Sequence, residues 1–543
     1  MKRCLIRLLQ SKGAGMIDLV LSELDFDYEM QALVSSFFPG QKSRIAVRKG
    51  NASKAREILE EFLLQEDSDL VAGIAFEREG ITISLLGNGG KAWMQRMADV
   101  SGGKDWHKHK DKSAHPYRTY YKNEWKRLLF EMLRDMPAYI LPAGMEKRVP
   151  AWGTMTGVRP TKIPMNELLL GKGREEVGEL LEKCYCCAED KKELCLDVAV
   201  REAELLRGID LVNSYSLYVG IPFCPTTCMY CSFPSYPLGQ FGHLSDDYLR
   251  ALKKELSAVA AQCRDHPLTS IYIGGGTPTA LTVDQLDELL FCLCTSFPVG
   301  QSLEFTVEAG RPDSITREKL QVLRKYGVER ISVNPQTMQQ KTLELIGRRH
   351  TVEDVKRAFL QAREAGFTNI NMDFIIGLPE ETPADFEDTL RQAEDLAPDS
   401  ITVHSLVVKR ASRLRSLLEE GGDFRGEERL RECRMEEMLA LSRQFAERRG
   451  YLPYYMYRQK NSAGHFGSSG QENIGYARKG SECLYNILIM EEMETIAAVG
   501  AGASTKRYHA DKKIVSRVEN VKSITDYISR VDEMIARKKG MWS

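Results

Sequence analysis

The stretch Ser216–Ile221 followed by Pro222-Phe-Cys224-Pro-Thr-Thr-Cys228-Met-Tyr-Cys231-Ser-Phe-Pro234 sets three cysteines in a C-x3-C-x2-C pattern directly after an apolar run that reads as a β-strand. Thirteen cysteines scattered at random over 543 residues would give such a triple in roughly 0.7% of chains. Pro222, Pro225 and Pro234 keep the segment off a regular helix, leaving a loop able to wrap three sulfurs around one centre. Three thiolates do not close a structural zinc site, which takes four protein ligands, but His243 is available as a fourth. Iron–sulfur cubes usually take one cysteine per iron, so three cysteines leave one iron open.

Outward from this loop, apolar strands alternate with amphipathic helices. Strands are predicted at Ser216–Ile221, Ser270–Ile273, Leu303–Glu308, Arg330–Asn334, Asn369–Ile376 and Ser400–Leu406, with helices at Asp246–Gln262, Val283–Cys294, Arg317–Tyr326, Val352–Ala365 and Pro383–Leu396. Six βα repeats imply a parallel sheet with right-handed crossovers, curling into a barrel or an open part of one, with ligand residues at the C-terminal ends of the strands.

An open iron is what bound S-adenosylmethionine requires. Its amino and carboxylate groups chelate the metal while an electron from the cluster cleaves the sulfonium C–S bond, giving a 5′-deoxyadenosyl radical. The pattern Tyr218-x5-Cys224-x3-Cys228-x-Tyr230-Cys231 resembles the radical S-adenosylmethionine enzymes, and among them the oxygen-independent coproporphyrinogen III dehydrogenase group. Trp152–Lys162 and Tyr454–Asn461 are similar to its longer Z-type branch. The resemblance implies one [4Fe–4S] cluster on Cys224, Cys228 and Cys231, and one or two molecules of S-adenosylmethionine, the second near Tyr230. Tyr218 and Tyr230 belong to the implied cofactor contacts. Gly274-Gly275-Gly276-Thr277-Pro278 resembles the family's GGTP motif, in which glycines let a ligand approach and offer N–H groups as a nest for its carboxylate. Glu308, at a strand end, would favour the sulfonium and ammonium charges. Gln336 and Arg348 match the family's polar contacts, Arg348 through a two-pronged grip on a carboxylate. Asp373 interrupts an apolar strand and needs a hydrogen-bond donor, for which a ribose hydroxyl serves.

In such a family the radical removes a hydrogen from the β-carbon of a propionate. The substrate then loses CO2 and one electron to leave a vinyl group, twice on coproporphyrinogen III, giving protoporphyrinogen IX. A tetrapyrrole substrate and a reductant such as flavodoxin or ferredoxin follow as partners, with Arg458, Lys460 and the 104–126 stretch as candidates to hold propionates. No single residue is assigned as catalytic. Many members continue the cysteine loop with a fourth cysteine where this chain has Phe233, and in that respect it is closer to a haem-binding chaperone branch. A methyltransferase-like radical enzyme is a further alternative.

The fold expected is α/β. It comprises a small N-terminal α+β domain at 1–110, a mainly helical connector at 111–212, a partial (β/α)6 radical S-adenosylmethionine core at 213–410, and a separate substrate-covering C-terminal α+β module at 411–543. The N-terminal expectation rests on alternation at Arg44–Arg48 and Gly80–Leu86 and a helical run at Ser53–Leu64. Lys104–Lys126 mixes basic residues with aromatics, a composition that can bind nucleic acid, but it reads as a solvated linker into a helix at Glu124–Arg134. Cys184, Cys186, Cys187 and Cys195 fall on a predicted helix, which would point their sulfurs to different faces and argues against a second centre. A net charge of −1 gives no field to steer nucleic acid, which is not an expected partner. No apolar run of 18 residues stands out as a membrane span, and charges break the first twenty residues, so a cytoplasmic location is expected.

Overall fold

The computed structural model describes residues 16–22, 26–48, 55–65, 68–76, 80–87, 90, 92–99, 118–142, 145–231, 233–407, 414, 424–459 and 472–542. The chain divides into two compact units, Met1–Pro160 with Leu170–Leu196 and Lys460–Ser469, and Thr161–Leu169 with Asp197–Gln459 and Gly470–Ser543.

The first unit is built on a sheet of β1 (Met16–Leu21), β2 (Lys42–Val47), β3 (Leu70–Phe76), β4 (Gly80–Gly87) and β5 (Ala92–Asp99), ordered β2-β1-β3-β4-β5. β1 runs parallel to both neighbours, and β4 runs antiparallel to both β3 and β5. β1 buries Ile17, Leu19 and Leu21, a strand that the charged residues around it mask in the sequence. The helix Arg118–Asp135 starts six residues earlier than expected and buries Tyr121, Trp125, Leu129 and Leu133, an i+4 stripe, in this unit's core. The described aromatics at the end of the 104–126 stretch therefore include core residues, while Lys104–Tyr117 lies outside the described residues. Burial lowers the Lys126 amine to about 8.

The cysteine-rich stretch differs from the helix expected there. The helix Arg174–Lys183 ends at Cys184, and Cys186 takes a positive φ of 54°. Cys184, Cys186 and Cys187 thus form the link to the next helix, Glu189–Leu205, which carries Cys195. A left-handed residue is a common way to stop a helix.

The second unit is organised by an eleven-stranded sheet. Its centre is β6 (Tyr215–Ile221), β7 (Leu268–Gly275), β8 (Glu304–Gly310), β9 (Arg330–Val333), β10 (Asn369–Ile376) and β11 (Ser400–Ser405), each parallel to the next. These are the six predicted repeats, with ends shifted by at most two residues. Four helices following strands begin at threonine N-caps, Thr282, Thr316, Thr351 and Thr382, whose hydroxyls accept from the backbone three residues on, and three of these caps are reciprocal capping boxes.

The C-terminal region departs from expectation. β12 (Leu452–Arg458), β13 (Glu472–Ala477), β14 (Thr495–Val499), β15 (Ser504–His509) and β16 (Ile514–Glu519) all enter the same sheet, ordered β12-β13-β11-β10-β9-β8-β7-β6-β14-β15-β16. β13 pairs antiparallel with β11, and β14 pairs parallel with β6. Residues beyond 411 complete both edges of the core instead of forming a separate module. Unpaired edge groups must find partners somewhere, and here the chain supplies them itself.

A buried polar cluster ties this end of the chain to the core. Glu255 accepts from Lys538, from Asn520 Nδ2 (2.8 Å), from the Gly500 N–H (2.9 Å) and from the Tyr527 hydroxyl (2.5 Å), and Lys538 also donates to Asn520 Oδ1 (2.7 Å). Lys538 and Glu255 side chains are fully buried.

Candidate functional site

Parallel strands covered on both faces usually read as continuous apolar runs. Here the register separates two kinds of row. Val219, Ile273, Val307, Ile331 and Ile370 form an apolar row, whereas Gly220, Gly274, Glu308, Ser332, Asn371 and Ser400 form a row of small or polar residues on the other face. A polar inner face marks the side that meets a ligand.

At the C-terminal end of β6, the loop Phe223–Cys231 leaves the sheet. Thr277 Oγ1 lies 3.5 Å from Cys224 Sγ, and the Gly276 and Thr277 N–H groups donate to the Ile221 and Phe223 carbonyls at 2.7 Å each. The Gly275 N–H is directed to the Glu308 carboxyl. The glycine turn therefore does not present these three N–H groups as the carboxylate nest expected of it; they pin the cysteine loop and Glu308. Gly275 holds φ at +110°, and a Cβ on Gly276 would stand 2.6 Å from Phe223 O and 3.0 Å from Cys224 Sγ. Gly276→Ala is accordingly expected to displace the loop and to cut reconstituted iron by at least about half relative to wild type, read by colorimetric iron and sulfide assay.

Tyr218 and Tyr272 are register partners, stacked at 6.4 Å, and Tyr485 stacks on Tyr272 at 4.5 Å. The Tyr272 hydroxyl donates to Glu308 Oε1 at 2.5 Å. Burial, with Asp373 nearby, pushes the Glu308 carboxyl up to about 7 in spite of that hydrogen bond. Asp373 accepts from Asn371 Nδ2 at 2.7 Å. Gln336, at a left-handed φ of 71°, brackets the same strand: its N–H donates to the Asp373 carbonyl and its carbonyl accepts from Ile375, each at 2.9 Å. Arg348 is buried, donating to the Asn334 carbonyl (2.5 Å) and the Tyr230 hydroxyl (3.1 Å), whereas the adjacent Arg349 is exposed.

The structure thus joins the predicted residues in small sets: Cys224 with Gly276 and Thr277, Glu308 with Gly275 and Tyr218's stacking partner, Gln336 with Asp373, and Tyr230 with Arg348. Tyr272 and Arg311 were missed. Tyr272 stands two residues before Gly274 as Tyr218 stands two before Gly220, a repeated spacing that was legible. Arg311 follows Glu308-Ala-Gly310 at the end of β8, a charged residue just where ligand residues are expected.

The set can be tested against the cofactors it is expected to hold. Thr306 Oγ1, Ser332 Oγ, Asn334 Oδ1, Gln336 Oε1 and Arg348 Nε are buried side-chain atoms without a hydrogen-bond partner. Unpaired buried polar atoms are costly, and a polar ligand above these strands would satisfy them. Among the described residues no three His, Cys, Asp or Glu side chains gather closely enough for one metal ion. A cube places each cysteine on a separate iron, so its ligands stand further apart than those of a single ion; Cys224, Cys228 and Cys231, three thiols on one loop, are the donor type it takes. A groove of about 1120 Å³ opens beside the loop, lined by residues that include Thr226, Tyr236, Gln240, Arg348 and His350.

The family described as the Radical SAM superfamily matches residues 218–393. An oxygen-independent coproporphyrinogen-III oxidase-like protein, HemZ of Bacillus subtilis (strain 168), is 40% identical over 392 residues, 71% of this chain and 76% of the relative. Heme chaperone HemW of the same organism is 38% identical over 207 residues, 38% of this chain and 54% of the relative, so the chain spans about half of that protein. A solved structure of coproporphyrinogen III oxidase (HemN) from Escherichia coli aligns over 62% of this chain and 73% of its own, at a TM-score of 0.46 and 24% identity. With the cysteine loop, the six-strand core and three quarters of the Bacillus relative all accounted for, the chain belongs to the radical SAM superfamily and, within it, to the oxygen-independent coproporphyrinogen-III oxidase-like family.

Proposed function

We propose that the protein carries out oxygen-independent oxidative decarboxylation of coproporphyrinogen III propionates to vinyl groups. The superfamily's cofactors are a [4Fe–4S] cluster and S-adenosylmethionine. When bound, they supply hydrogen-atom abstraction from an unactivated carbon. Cys224, Cys228 and Cys231 would hold the cluster; Gln336, Arg348, Asp373 and Glu308 would hold the nucleoside and its charges, with Gly275, Gly276 and Thr277 fixing the loop beside them and Tyr218 and Tyr230 completing the walls. The protein's own tasks are to orient the reacting carbon and to keep water away from it. Arg458, at the end of β12, is proposed to help hold a propionate, and Lys460 lies outside the described residues. The observation that carries the proposal is the set of unpartnered buried polar atoms in β8, in β9 and in the segment following β9, in a sheet whose strand β6 leads into a three-cysteine loop.

Product analysis tests it. Air-free protein with reconstituted cluster, reductant, S-adenosylmethionine and coproporphyrinogen III is expected to yield protoporphyrinogen IX and CO2. One observation favours a second reading, a haem-binding chaperone: Phe233 stands where many dehydrogenases have a fourth cysteine, and it is 70% exposed. Stoichiometric haem binding without vinyl product would establish that reading instead. No helix among the described residues is long and apolar enough to cross a membrane; a cytoplasmic setting and a flavodoxin or ferredoxin as electron source belong to the proposal.

Glu308 gives a pH prediction. Its raised carboxyl is protonated below about 7 and ionised above, and only the ionised form attracts the fixed positive charge of a sulfonium. Affinity for S-adenosylmethionine is expected to fall about tenfold from pH 8 to pH 6, as the ionised fraction drops from about 0.9 to about 0.1. Equilibrium dialysis checks this, with Glu308→Gln expected to flatten the profile.

A further inference from the structure

The loop between Cys224 and Cys228 is gripped by a residue that neither the motifs nor the relatives' names assign. Arg311 is only 3% exposed. Its Nη1 donates to the Thr226 carbonyl (3.0 Å) and hydroxyl (2.6 Å) and reaches within 4.0 Å of Cys228 Sγ. Its Nε and Nη2 are held by Asp313 at 3.0 and 2.6 Å in a two-pronged pair. Gly310, at a φ of 69°, and Pro312 on either side turn the chain so that this side chain points back under the loop.

The geometry points to Arg311 as a positioning residue that sets the cluster's reduction potential, with Asp313 as its counterweight. This rests on Cys228 being a cluster ligand, as proposed above. A guanidinium is always charged and cannot move its charge away by losing a proton. Reducing a cluster adds negative charge, so a fixed positive charge beside a ligand sulfur, in a site with little water to screen it, favours the reduced form. Asp313 partly cancels that charge. The two residues therefore push the potential in opposite directions, whereas a merely structural clamp, broken from either side, would disturb the loop in the same way.

The test is an EPR-monitored redox titration of air-free, reconstituted full-length protein. Arg311→Met is expected to lower the ratio of reduced to oxidised cluster at a fixed poise about tenfold, which is about 59 mV for a one-electron couple. Asp313→Asn, which leaves the guanidinium in place, is expected to raise that ratio severalfold. Equal midpoints in wild type and both variants, or shifts of the same sign, would overturn the inference. If Arg311→Met fails to hold a cluster, Asp313→Asn decides alone, since an unchanged or lowered midpoint there contradicts it. Wild-type protein that takes up no iron and sulfide would instead sink the cluster reading itself, a result separable from the potential.

Discussion

Cys228→Ala is expected to abolish the air-free activity, lowering turnover by at least about a thousandfold, or about 4 kcal/mol in the barrier, with loss of most iron and acid-labile sulfide. Of the three loop cysteines it alone is buried, with 8% exposure. It lies 4.0 Å from Nη1 of the Arg311 guanidinium. Removing the sulfur takes away one of the three ligands, so the variant should be unable to gather iron at the loop's centre even before turnover is measured. Cys292→Ala supplies the control. That cysteine sits half-buried on the helix Val283–Ser296 and touches none of the site, so its removal should leave colour, iron content and rate close to wild type. Equal damage from both substitutions would mean that the loop has no special claim on metal.

The second large effect concerns stability. Lys538→Met is expected to destabilise the second unit by about 3–5 kcal/mol, because it leaves Glu255 buried with one fewer compensating charge. The loss should appear as unfolding at a lower guanidinium concentration, followed by fluorescence. Pairing it with Glu255→Leu removes both charges, and the double variant is expected to recover much of the loss. A double variant no better than Lys538→Met would show that the hydrogen bonds to Asn520, Tyr527 and Gly500, and not the ion pair, carry the cluster's contribution. Since the Tyr248 hydroxyl donates to the Gly220 carbonyl at 2.6 Å and accepts from the Ala501 N–H at 3.1 Å, loosening this cluster should also relax the strand that delivers the cysteine loop.

How much of this was legible in the sequence varied with how local the signal is. The six core strands and the helices between them were found within one or two residues, because apolar runs and helical periodicity are written in consecutive residues. The cysteine loop was legible for the same reason. The fate of residues beyond 411 was not. Strands β12 to β16 lack clean alternation, with Glu472–Ala477 and Thr495–Val499 buried along their whole length, and which edge each one joins is decided by pairing with distant residues, as between Thr495–Val499 and Tyr215–Val219. The glycine turn was read correctly as a place of close approach, yet what approaches three of its N–H groups is the protein's own backbone and Glu308. Spacing cannot tell a ligand from a neighbouring carbonyl. Arg311 escaped because its meaning lies in a contact across 83 residues, to Cys228.

The late arrival of β14 beside β6 has a consequence for biogenesis. At a synthesis rate of about 5–20 residues per second, tens of seconds separate the emergence of the first core strand from that of its outer neighbour. Throughout that interval a nascent chain on the ribosome carries an uncapped strand edge and a thiol-rich loop at once. Cluster insertion before the last hundred residues appear would act on an incomplete scaffold, so maturation of this protein is expected to be post-translational and to benefit from a holdase that shields the edge in the meantime.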